Sequence, residues 1–124
     1  MASTQFHESE DHLRPETRDM HRAIVSLMEE LEAIDWYQQR IDATGDAELR
    51  EILRHNRDEE KEHAAMVLEW IRRRSPEFDR RLREYLFAEG AIVGREEALT
   101  GKSGNGKDAG LRPAIGIGSL RGKQ

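Results

Sequence analysis

The chain has no cysteine, three prolines, two tryptophans and no long apolar run. Without cysteine there are no disulfides and no thiolate metal ligands, so a bound metal would have to be held by carboxylate or imidazole. The redox state of the compartment stays open. A membrane span needs roughly 20 apolar residues in a row, and no stretch of the sequence approaches that. Basic excess is missing too: 20 Lys and Arg stand against 25 Asp and Glu, for a net charge of -5. A nucleic-acid surface would be basic and clustered, so neither nucleic acid nor membrane is an expected partner. An acidic surface is compatible with attracting cations, although most acidic proteins do nothing of the kind. The opening MASTQFHESEDH lacks the apolar segment of a secretory signal, which makes the cytoplasm the expected location.

What is present is charge and helical periodicity. Hydrophobic and charged residues each make up 36% of 124 residues. So small a core has to offset a large ordering entropy, and long amphipathic helices that pair with other chains suit this balance better than a compact monomer. Pro15-Glu16 reads as a helix start, with the proline in the first turn and the acid facing the helix dipole. No glycine or proline interrupts until Gly45, so a first helix is expected over residues 15–41. Asp46 is placed to cap a second helix that runs to Arg74 and stops at Ser75-Pro76. A short third helix is expected from Pro76 to Phe87, ending near Gly90. The organisation expected is a flexible leader (1–14), a helical domain (15–94), a flexible linker (95–112) rich in glycine, and a terminal peptide (113–124). That peptide is apolar at Ile115, Ile117 and Leu120 and reads as a docking segment on a tether.

The chemistry lies in the inward stripes. In the second helix, residues 49, 53, 56, 60, 63, 67 and 70 follow four-three spacing and read Leu, Leu, Asn, Glu, His, Val, Trp. The stripe is apolar at both ends and carries Asn56, Glu60 and His63 in the middle. In the first helix, residues 23, 27, 30, 34, 37 and 41 read Ala, Leu, Glu, Ile, Tyr, Ile, again with one acid, Glu30. Folded back at Gly45, Glu30 falls opposite residue 58, and Glu60 is then within roughly 3 Å along the axis at 1.5 Å per residue. Burying such acids costs several kcal/mol unless a counter-charge compensates them. Glu60-Lys61-Glu62-His63 has the Glu-x-x-His spacing, which puts carboxylate and imidazole on one helix face. Ferritin-like di-iron bundles take a Glu from each of two helices and a Glu-x-x-His from each of two others. This chain carries half of that set, which a two-fold partner would complete. A polar interruption can also serve merely as a register device. Glu59, four residues before His63, lies at the stripe's edge and ranks below Glu60. His55 is a candidate secondary ligand or an ordinary exposed histidine. His7, His12 and His21 read as solvated.

At MEELEAIDWY (residues 28–37) and NRDEEKEHAAM (residues 56–66) the sequence resembles the encapsulated ferritins, the ferroxidase cargo of encapsulin nanocompartments. The resemblance covers residues 20–90. It implies an all-α fold, an antiparallel two-helix hairpin plus a short C-terminal helix, dimerising into a ferritin-like four-helix bundle. It implies that Glu30, Glu60 and His63 of both chains hold two irons per dimer, which calcium, manganese or zinc can replace. It further implies that Tyr37 lies beside the centre, that Glu29, Glu32 and Trp36 form an outer entry site, and that five dimers make a decameric ring. The terminal IGSLRGK is similar to encapsulin-targeting peptides, implying a place for residues 113–124 in an encapsulin shell. From the residues themselves, Glu29, Glu32 and Trp36 are a solvated acidic face with a surface tryptophan, and Tyr37 is core. A non-enzymatic metal-binding helical oligomer or adaptor, and a di-iron peroxidase, stay open as alternatives to the ferroxidase.

Overall fold

A computed structural model describes residues 5–101 of the chain. Residues up to Ser75 form one compact unit, built on the antiparallel pair α1 (Pro15–Ala43) and α2 (Ala47–Arg74). Pro15 opens α1 with Glu16 in its first turn, and no interior glycine or proline breaks the ladder. The connection is tied down by short-range bonds. Thr44 N–H donates to the Arg40 carbonyl at 3.0 Å, and the Asp46 carboxylate accepts from Leu49 N–H at 2.8 Å, capping α2. Arg50 then clamps the turn from inside, donating Nε–H to the Ile41 carbonyl at 3.3 Å and Nη2–H to that of Thr44. Arg72, Arg73 and Arg74 end α2, where positive charge meets the negative end of the helix dipole.

Two helices bury only one face each, and the core is correspondingly thin: Ile41, Leu53, Ala64 and Ile71. Ile24, Leu31, Ile52 and Met66 are exposed on the hairpin flanks. No helix among the described residues is long and apolar enough to cross a membrane.

The described residues from Pro76 to Gly101 belong to a second unit, with α3 (Pro76–Tyr85) and α4 (Ile92–Thr100). Helix α3 stops two residues short of the expected Phe87, which turns into the left-handed region at φ 61° and stands 97% exposed. Helix α4 takes in residues 95–100 of the expected linker. Gly94 falls in the first turn of α4, where its N–H has no intrahelical partner to lose. Arg95 Nε–H donates to the Glu84 carbonyl at 2.8 Å, tying α4 to α3, and Gly101 closes the helix at φ 66°.

Within residues 5–14 of the expected leader, several contacts reach α1. Phe6 packs on His21 with ring centroids 4.5 Å apart, so His21 is half-buried rather than solvated. A 3-10 turn at Glu10–His12 follows, and Arg18 donates to the carbonyls of Leu13 at 2.8 Å and Glu10 at 3.2 Å. Those bonds hold residues 10–13 against the start of α1. The remainder of the linker and the terminal peptide 113–124 lie outside the described residues.

Candidate metal centre

Glu30 projects from the middle of α1, and Glu60 and His63, one turn apart, project from α2 to meet it. One ligand atom from each of the three lies within 4.8 Å of the other two. Among the described residues, no other three His, Asp or Glu side chains converge in this way. His63 Nδ1 is 3.2 Å from Glu60 Oε1 and 3.9 Å from Glu30 Oε1. The cluster is not sealed between the two helices. Glu30 and Glu60 keep 25% and 24% of their side-chain surface and His63 keeps 42%. The three groups therefore line an open flank of the hairpin.

The electrostatics follow from two acids competing for one space. A hydrogen bond with Glu60 is the main reason the Glu30 carboxyl titrates above its ordinary value, with burial and the Glu60 charge adding to it. Accepting that bond, and another from His63, holds Glu60 below the ordinary value. The His63 imidazole is raised chiefly by its hydrogen bond to Glu60. Of the two acids, Glu30 is therefore the one that takes a proton first as pH falls, and the neighbouring carboxylates favour the cationic form of His63. A divalent cation at the same point would compete with both protons, so its affinity must fall as acid restores them. Carboxylate oxygens with an imidazole nitrogen suit iron, manganese or zinc.

The other residues singled out in the sequence fall around this point. Glu59 approaches the far ring nitrogen of His63 at 3.9 Å and also lies 3.9 Å from His55 Nε2, making a carboxylate bridge on the exposed side of α2. His55 itself stands outside the cluster. Glu29, Glu32 and Trp36 are exposed on α1 and are not brought into the cluster. Tyr37 is half-buried, with the Arg40 guanidinium 5.6 Å above its ring. The sequence reading missed Arg57, whose Nη1–H donates across the hairpin to Gln38 Oε1 at 2.7 Å. No periodic signal marks it, since it lies outside the stripe and reads as an ordinary surface arginine.

Compared with known families, residues 5–89 match the EncFtn-like model. The chain belongs to the encapsulated-ferritin family. It is 53% identical to the "Encapsulated ferritin-like protein" of Rhodospirillum rubrum, an alignment covering 98% of this chain and 91% of that one. It is 35% identical to the "Encapsulin nanocompartment cargo protein EncC" of Myxococcus xanthus, over 78% of this chain and 80% of that one. Among solved structures, protein ne0167 of Nitrosomonas europaea superposes with a TM-score of 0.69 at 61% identity, covering 71% of this chain and 97% of that one. Membership assigns the helical hairpin to the encapsulated-ferritin fold.

Proposed function

We propose that the chain is a ferroxidase whose di-iron site forms when two copies pair along the open flank of the hairpin. The observation that carries this reading is the convergence of Glu30, Glu60 and His63 on a partly exposed face, because it offers half of a di-iron ligand set towards solvent. A two-fold copy doubles the set to four carboxylates and two imidazoles and covers the exposed edge. Ferrous iron is the substrate. Anionic oxygen ligands favour the harder ferric ion, and O2 accepts the electrons, one from each iron. The protein supplies ligand spacing and charge.

Around the centre, Tyr37 lies beside the irons, Glu29, Glu32 and Trp36 form the outer approach, and His55 with Glu59 offers a secondary cation site. Five such dimers make the ring. The names of the Rhodospirillum and Myxococcus relatives support a place inside an encapsulin shell, reached through residues 113–124.

The test is O2 uptake on addition of Fe2+ to aerobic protein. Wild type should consume O2 faster than buffer, and Glu30→Ala should fall to the buffer rate. A Glu30→Ala protein that keeps the wild-type rate rejects the assignment. Metal uptake without O2 consumption favours a non-enzymatic chelator, and turnover of an added peroxide substrate favours a peroxidase.

A further inference from the structure

The hairpin has a second polar crossing beside the metal centre, and it is more completely hydrogen-bonded than an ordinary surface contact. Arg57 keeps only 19% of its side-chain surface. Its Nε–H donates to Asp58 Oδ1 on its own helix at 3.0 Å, and Nη2 lies 3.0 Å from the same oxygen. Held there, the guanidinium extends Nη1–H across to Gln38 Oε1 at 2.7 Å. The amide of Gln38 is fixed in turn, donating Nε2–H to Asp42 Oδ1 at 3.0 Å. Asp42, Gln38, Arg57 and Asp58 thus make one continuous chain of bonds from α1 to α2, anchored at each end on a carboxylate.

The position of this chain matters more than its strength. The clamp of Arg50 on Ile41 and Thr44 fixes the closed end of the hairpin. Arg57 is one helical turn before Glu60 and lies between that clamp and the centre. Apolar packing in so thin a core sets the register of α1 on α2 weakly. A slip of one residue moves a helix about 1.5 Å along its axis. A metal site tolerates about 0.2 Å in its ligand distances. The apolar seam can absorb errors that a ligand set cannot, and a directional side-chain bond near the ligands removes them.

We propose that Arg57, through Gln38, is a positioning residue that sets the register of Glu60 and His63 against Glu30. The inference rests on the proposed metal role of those three residues.

The experiment titrates Co2+ into the full-length chain anaerobically, for wild type, Arg57→Ala, Arg57→Lys, Gln38→Ala and Gln38→Glu. Calorimetry gives affinity and the visible spectrum reports ligand geometry, with helicity and native mass followed in parallel. Arg57→Ala and Gln38→Ala should weaken Co2+ binding about 10-fold and shift the visible band, at unchanged helicity and mass. Arg57→Lys, which keeps a donor, and Gln38→Glu, which keeps an acceptor for Arg57 but loses the bond to Asp42, should each recover part of the affinity. If Arg57→Ala does not fold, Gln38→Ala decides, because it removes the far acceptor and the exposed bond to Asp42 while leaving Arg57 in place on Asp58. Wild-type affinity and band in Gln38→Ala overturn the proposal, as does an affinity loss that merely follows lost helicity. Wild-type protein that binds no Co2+ overturns both this inference and the metal centre, whereas binding with unchanged variants overturns the positioning role alone.

Discussion

At its closed end the hairpin is held as a small protein usually is. Ile41 and Leu53 are buried, Asp46 caps α2, and Arg50 donates to two turn carbonyls. In its middle the same two helices meet through Glu30, Glu60 and His63, which are partly solvated and shift one another's titration. The closed end lowers the free energy of the single chain. The middle adds no such packing, since two partly solvated acids brought together repel each other. A cation bound between them, as proposed, would offset the mutual repulsion of the acids. Stability and the proposed function therefore occupy different lengths of one helix pair, and each should be perturbed with little change in the other.

The sharpest break of that comparison is in the middle. His63→Ala should reduce Fe2+-dependent O2 uptake by at least about 100-fold, since losing a ligand exceeds the 10–100-fold effect of an outer partner. Circular dichroism should meanwhile show full helicity. At the closed end, Ile41→Ala should cost about 2–4 kcal/mol in chemical denaturation, with metal stoichiometry unchanged in the protein that remains folded. A smaller effect is expected from Asp46→Ala, which strips the cap from Leu49 N–H and should cost about 1 kcal/mol, read as a lower melting temperature.

The smallest effect concerns pH. Hydrogen bonds from Arg72 and Arg73 hold the Glu69 carboxyl down to about 2, against an ordinary value of 4.5. A folded-state value lowered in this way adds stability that is complete above the ordinary carboxylate range and is lost as pH falls towards 2. Because Glu69 is 41% exposed, solvent screening keeps the contribution small. The stability difference between wild type and Glu69→Gln should be flat above pH 5 and shrink steadily below the ordinary value. A difference that grows on acidification would contradict this sign.

The helices were legible because their signals are local. Pro15, Gly45, Asp46 and Ser75-Pro76 punctuate the chain, and α1 and α2 begin and end within two residues of those marks. The common level of Glu30 and Glu60 followed from the turn position and the helical rise alone. Helix α4 was hidden because Gly94 and the glycines after residue 100 resemble a linker, while the Arg95 bond to the Glu84 carbonyl depends on tertiary placement. The packing of Phe6 on His21 is hidden for the same reason. Arg57 was invisible because a crossing bond has no period. The outward tilt of the centre could not be read either, since a stripe of inward positions does not say whether a second helix pair will cover it.

The central claim is that each chain holds half of a two-metal site. It is tested most directly by counting iron on the assembled protein, by anaerobic Fe2+ titration followed by native mass spectrometry. The account predicts one iron per chain, bound only in species containing paired chains, with the uptake lost in Glu60→Ala. Iron bound tightly by single chains, or paired chains that take up none, would contradict it.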